Sequence, residues 1–219
     1  MNRLMVLATK NRGKTAELKD LLAGQPVEVV DLGHFGPTPT PVEDTDSFGE
    51  NAYQKAWFYA RILGLPALAD DSGLVVEALD GRPGIMSARY AGEKATDAER
   101  AAGILAEMAG RTDRRAAFVC ALVLAVPSGP ALTWVGRCEG EITTAPRGAN
   151  GFGYDPIFYY PARGRTFAEL TTAEKNEISH RGLALKQLAA EFPKVIVWLD
   201  QRMAEIEQAL SRRLDYYSR

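Results

Sequence analysis

Four short segments of this chain gather residue types that handle phosphates, metal ions and aromatic rings. Thr9-Lys10-Asn11-Arg12-Gly13-Lys14 lies between an apolar stretch and a segment of helical spacing. A helix N-terminus offers unpaired N–H groups and the positive end of a dipole, and here it gains cations and a hydroxyl. The segment therefore suits phosphate oxygens, although it lacks the G-x-x-x-x-G-K-[ST] pattern of a Walker loop. Ala69-Asp70-Asp71-Ser72-Gly73 follows an apolar approach and is expected at a strand end. Adjacent carboxylates near a core are costly to leave unpaired, and strand alternation sends them to opposite faces. One is expected to face a pocket and the other to be structural. Glu43, Asp44 and Asp46 add oxygen donors upstream. Hard oxygen ligands without Cys or His suit Mg²⁺ held jointly with substrate phosphates.

The third segment is Gly151-Phe152-Gly153-Tyr154-Asp155-Pro156, preceded by Arg147-Gly148-Ala149-Asn150. Glycines flanking Phe152 let backbone approach a ligand and leave a ring face on which a base can stack. The fourth, Lys175-Asn176-Glu177-Ile178-Ser179-His180-Arg181-Gly182, has helical spacing. That spacing puts Lys175 and Ser179 on one face, with His180 a little round from it. Taken singly, each segment reads equally well as a polar turn or a solvated helix face.

The elements that must position these residues are legible in outline. Residues 4–8 and 27–31 read as short buried strands. Between them Leu18, Leu21 and Leu22 form an apolar helical face that stops at Gly24 and Pro26. After Gly36, residues 37–41 alternate proline with threonine and must be an extended loop. Ser47 with Glu50, Thr96 with Glu99 and Thr171 with Glu174 are three capping-box signatures. They predict helices ending at residues 64–66, near Gly110 and, for the longest, at Ala190. Residues 116–126 and 132–144 are strand-like and joined through Pro127-Ser128-Gly129-Pro130. Strands mixed with helices indicate an α/β fold with a mixed sheet.

Composition restricts the partners. The chain has 219 residues, 46% of them hydrophobic and 25% charged, enough for one large domain or two lobes. Its net charge of −2 argues against a nucleic-acid binder, so a polyanionic ligand must meet locally concentrated cations. No apolar run approaches the roughly 20 residues a membrane span needs, and the cytoplasm is the expected location. Cys120 and Cys138 lie in apolar strand-like stretches and read as inert core thiols. With two histidines and no His/Cys cluster, a zinc site is not expected.

The four segments, in this order and with these gaps, resemble the inosine triphosphate pyrophosphatase family of non-standard purine nucleoside triphosphatases. The resemblance runs from about residue 4 to residue 188 and includes one long central block. It goes from Ser47-Phe48-Gly49-Glu50-Asn51-Ala52 through Ala69-Asp70-Asp71-Ser72-Gly73-Leu74 to Pro83-Gly84-Ile85-Met86-Ser87-Ala88-Arg89-Tyr90-Ala91-Gly92-Glu93. It implies an elongated mixed β-sheet flanked by helices, in two lobes with the active site in the cleft, and a homodimer. It implies hydrolysis of the triphosphates of inosine, deoxyinosine and xanthosine to monophosphate and pyrophosphate, assisted by Mg²⁺. Residue by residue, Thr9, Lys10, Asn11, Arg12, Gly13 and Lys14 match the phosphate loop, with Lys10 where many members carry glycine. Asp71 matches the general base and metal ligand, Glu43 (or Asp44) a second metal ligand, and Ser72 a substrate contact. Phe152, Gly153, Tyr154 and Asp155 match the base-binding loop, Lys175 a phosphate contact, and His180 with Arg181 the reader of the base edge. The alternatives are a pyrophosphatase for modified pyrimidine nucleotides and a non-catalytic nucleotide-binding regulator. The His180-Arg181 pair and the glycine loop oppose the first; intact Asp71 and Lys175 oppose the second.

One part departs from the family pattern. Beyond a domain expected to span residues 1–199, residues 200–219 read as a helical extension. Leu199, Met203, Ile206, Leu210 and Leu214 recur at near-heptad spacing, which predicts a helix buried along one side.

Overall fold

The computed structural model describes residues 3–42 and 45–217. Seven strands form one sheet in the order β2-β1-β3-β4-β5-β6-β7. They are β1 (Arg3–Leu7), β2 (Val27–Asp31), β3 (Ala67–Val76), β4 (Arg115–Ala125), β5 (Ala131–Ile142), β6 (Phe158–Tyr160) and β7 (Arg165–Thr166). β1 runs parallel to β2 and β3, and every later pairing is antiparallel. The sheet is mixed and flanked by helices, as expected. The helices are α1 (Arg12–Leu22), α2 (Phe48–Leu63), α3 (Asp97–Glu107), α4 (Thr172–Ile178) and α5 (His180–Tyr217).

Period-two alternation divides the core. Met5, Leu7 and Leu68 pack with Leu18 of α1 and Leu185, Leu188 and Phe192 of α5. Val6, Ala67 and Ala69, one residue out of phase, pack with Ala52, Ala56 and Tyr59 of α2. Small alanines on this second face let α2 lie close to β3 and β4. Beyond the middle of the sheet, Leu74, Ile104, Phe118, Phe158 and Phe167 build a third cluster beneath α3.

The helix starts follow local chemistry. Asn11 caps α1 by accepting the Lys14 N–H at 3.1 Å, and the Thr96–Glu99 and Thr171–Glu174 boxes are complete. The Ser47–Glu50 box is only half made. Ser47 accepts the Glu50 N–H, while the Glu50 carboxylate bonds the Ser47 hydroxyl instead of its backbone N–H.

Three expectations are corrected. The helix from Thr171 does not run to Ala190: it breaks at Ser179, which turns extended at φ −68°, ψ 154°. The Ser179 hydroxyl then accepts the Gly182 N–H at 3.1 Å and starts a second helix at His180. Side-chain capping offers a serine this alternative to continuing the helix. Lys175 and Ser179 keep their four-residue relation, because the Ser179 N–H still bonds the Lys175 carbonyl at 2.8 Å, while His180 belongs to the next helix. The second correction is that Asp70 and Asp71 lie inside β3, not at its end, because cations on the neighbouring helices meet the buried charge. The third concerns the final segment, where α5 does continue to Tyr217. Leu199 is buried and Met203 and Ile206 pack on the core, but Leu210 is 55% exposed. The side chain of Leu214 lies outside the described ones. An Arg3–Asp200 ion pair links α5 to β1 just before Met203.

Candidate active site

A pocket of about 290 Å³ opens where β3, the α1 N-terminus, the start of α5 and the 151–155 loop converge. Gly136 of β5 makes one of these approaches possible. A Cβ there would stand 1.9 Å from the His180 carbonyl oxygen, so only glycine lets the first turn of α5 rest on the sheet. Gly13 similarly abuts Phe152: a methyl would lie 3.1 Å from the ring. The phosphate-type loop and the aromatic loop, far apart in sequence, therefore touch.

Of the residues singled out from sequence, Thr9, Asn11, Lys14, Asp71, Ser72, Phe152, Gly153, Tyr154, Asp155, Lys175, His180 and Arg181 all line this pocket. Lys10 does not. Its ammonium turns to the Pro/Thr loop, donating to the Thr38 carbonyl at 3.2 Å and the Thr40 hydroxyl at 2.9 Å. Glu43, Asp44 and the Arg12 side chain lie outside the described residues.

Asp70 and Asp71 separate as strand alternation requires. Asp70 is wholly buried and pairs with Lys14 at 2.8 Å and Arg181 at 3.4 Å. Burial pushes its carboxyl up, but Lys14, Arg181 and Lys55 outweigh that and hold it well below the ordinary range. Asp71 reaches the pocket, accepting from Asn51 Nδ2 at 3.1 Å and its neighbour Ser72 N–H at 3.0 Å. Burial dominates there, and the Asp71 carboxyl is pushed above its ordinary value despite Lys55 and Lys14 nearby.

The far side of the pocket is a buried charge network. Arg181 bonds Glu17 and donates to the Ser72 hydroxyl at 3.1 Å. Burial lowers its proton affinity, but Asp70 and Glu17 raise it further, so it stays a cation. Lys175 bonds Asp155 at 2.7 Å and Glu17 at 3.4 Å, with its ammonium 4.6 Å from the Phe152 ring centroid. His180 stacks on Phe118, and its Nδ1 has no partner among the described residues. Burial first, then Arg181 and Lys175, press it toward the neutral form, so one ring nitrogen is a bare acceptor.

Several residues of the site escape a reading of spacing. Asn51 and Lys55 stand four apart on α2 and address Asp71 and the Asp70 carbonyl. Glu17 follows Lys14 by one turn on the buried face beside Leu18, and a charge next to that apolar stripe was the available signal. Asp97 and Arg100 also line the pocket, but their helix-start signature hides that role. Both cysteines are buried free thiols, as expected.

A mixed sheet carrying a cation-rich pocket with one open carboxylate defines an α/β protein equipped for anionic ligands. The Ham1 family model matches residues 5–191, and the chain belongs to that family. It is 57% identical over 202 residues to the dITP/XTP pyrophosphatase of Syntrophobacter fumaroxidans, covering 92% of this chain and 87% of the relative. It is 52% identical over 206 residues to the dITP/XTP pyrophosphatase of Desulfotalea psychrophila, covering 94% and 92%. A Ham1 protein from Coxiella burnetii superposes with a TM-score of 0.82 at 46% identity, covering 88% of this chain and 99% of that one. The resemblance seen in the four segments is thus borne out over most of the chain.

Proposed function

We propose that this protein hydrolyses the triphosphates of deoxyinosine and xanthosine, as the names of its relatives suggest, and that of inosine, to monophosphate and pyrophosphate. The observation that carries the reading is Asp71, an open carboxylate in one pocket with Lys14, Lys55 and a stackable Phe152. In this scheme Asp71 orients and deprotonates the water that attacks the α-phosphorus. The bond from that phosphorus to its bridging oxygen breaks, and pyrophosphate leaves as Lys14 and Lys55 neutralise its charge. Lys175 shares its charge with Asp155 and Glu17 and sets the base loop as much as any phosphate. His180 and Arg181 are the readers of the base edge.

No cluster of three His, Cys, Asp or Glu able to hold a metal occurs among the described residues. One hard carboxylate fits Mg²⁺ nonetheless, since that ion keeps several waters and takes one or two carboxylates plus substrate phosphates. Asp71 suits it best, because Asp155 and Asp97 are already paired with cations. By the family resemblance Glu43, or Asp44 beside it, would be the second donor. Held by Asp71, a bound Mg²⁺ would supply charge neutralisation at the phosphates and make the attacking water more acidic. No helix among the described residues is long and apolar enough to cross a membrane. We take the protein to be a cytoplasmic homodimer that needs no nucleic acid.

The test is phosphorus NMR of inosine triphosphate incubated with the protein and Mg²⁺, repeated with adenosine triphosphate. Inosine monophosphate and pyrophosphate are expected, with adenosine triphosphate consumed far more slowly. Diphosphate with orthophosphate, or equal rates on both, would overturn the reading.

A further inference from the structure

Asp97 opens α3, yet its carboxylate leaves the helix and accepts the Gly153 N–H at 2.7 Å, 56 positions away in sequence. Arg100, one turn on, holds the other carboxylate oxygen while donating to the Ala88 carbonyl at 3.1 Å. That grip aims Asp97 Oδ2 at the tip of the base loop. Burial raises this carboxyl, but the Gly153 N–H and Arg100 outweigh it, so Asp97 is a firm anion at neutral pH.

The 151–155 loop is pinned at three points. Asp155 accepts the Phe152 N–H at 3.0 Å and binds Lys175, and the Tyr154 hydroxyl donates to the Ser87 carbonyl at 2.8 Å. The third point is the Asp97 bond. Gly153 sits at φ +63°, and among the described residues no atom beyond its chain neighbours lies within 4 Å of where a Cβ would stand, so packing of such a side chain would not hold this tip. Phe152 comes immediately before it, with one side of its ring toward Lys175 and its edge on Gly13. A loop free to swing at Gly153 would carry that ring out of register with the phosphate loop.

We propose that Asp97 is a positioning residue for the base: through the Gly153 N–H it fixes the Phe152 ring for stacking. The proposal rests on the nucleotide-hydrolase reading above. A charge-assisted hydrogen bond and a base–aromatic stack each carry enough free energy to change affinity about tenfold.

The experiment measures kcat and KM for inosine triphosphate in the wild type, Asp97→Ala, Asp97→Asn, Phe152→Ala and the Asp97→Ala/Phe152→Ala double variant. Asp97→Ala should raise KM about tenfold with kcat within about twofold, and Asp97→Asn, which keeps an acceptor oxygen, should recover most of it. In the Phe152→Ala background the Asp97→Ala change should add less than about twofold, because the ring it positions is gone. An equal KM penalty in both backgrounds, or a fall in kcat with KM unchanged, would overturn the proposal and leave Asp97 as a helix-start acid. An inactive wild type would sink the hydrolase reading instead. The same non-additivity would then be expected in calorimetric binding of inosine triphosphate, and additive losses there would overturn the Asp97 proposal separately.

Discussion

The two faces of β3 give one residue type two opposite fates. On the side that packs against α1 and α5, Asp70 follows Leu68 into the interior and meets Lys14, Arg181 and the Ser72 hydroxyl. On the side that packs against α2, Asp71 follows Ala67 and Ala69 and receives two neutral N–H donors. Its ion-pair partners are none among the described residues, and its proton affinity rises where that of Asp70 falls. Strand position is therefore no guide to role. Cations placed by neighbouring helices turn one carboxylate into a structural counter-ion. Burial without a paired cation leaves the other poised to bind a proton or a metal.

The comparison breaks most visibly on the structural side. Asp70→Asn leaves Arg181 and Lys14 without their anion in a dry site, and removing one partner of a buried pair costs about 3–5 kcal/mol. Urea unfolding of the variant should show a loss of that order. A variant as stable as the wild type would mean that Glu17 alone neutralises Arg181 and that Asp70 is dispensable.

Asp71→Asn should do the reverse. It keeps the shape and the Ser72 N–H contact but removes the charge, so turnover of inosine triphosphate should fall by about 10²-fold or more. Thermal stability should hold or improve, because a carboxylate that resists ionisation in the fold is being replaced by a neutral amide. Near-normal turnover here, alongside a folded but inactive Asp70→Asn, would exchange the two assignments.

The sequence exposes the ingredients of this contrast better than their arrangement. Alternation in β3 separates the two carboxylates, and the caps at Thr96 and Thr171 place helix starts to within a residue. The break at Ser179 is masked by helical spacing that continues on both sides; its local marks are the Ser179 cap and Gly182, where a Cβ would stand 1.9 Å from the Asn176 carbonyl oxygen. Long-range partners are equally hidden: nothing local to Glu17 names Arg181, 164 positions away. Lys10 looks like its neighbours in the phosphate loop, and only the fold of the Pro/Thr segment draws it off. Residues 200–217 could be read as helical from their period, but how far the sheet extends beneath them decides that Ile206 is covered and Leu210 is not.

The finest test of the two faces is the pH dependence of stability, measured with a chelator present so that no divalent ion masks Asp71. Asp71 holds its proton more tightly folded than unfolded, so its contribution is present below the ordinary value of 3.8 and is lost as pH rises through its higher folded value. Asp70 has the opposite sign. Its contribution is present above 3.8 and is lost as pH falls toward its lower folded value. Each tenfold difference in proton affinity between the two states is worth about 1.4 kcal/mol. Unfolding free energies between pH 3 and pH 7, set as about one-unit steps, should therefore diverge in two separate windows. Relative to wild type, Asp71→Asn should gain stability as pH climbs above the ordinary aspartate range, and the gap should then level off. The deficit of Asp70→Asn should shrink only as pH drops below that range. If both variants instead tracked the wild type in parallel across the series, neither carboxylate would differ between folded and unfolded chains. The contrast across β3 would then be one of position alone.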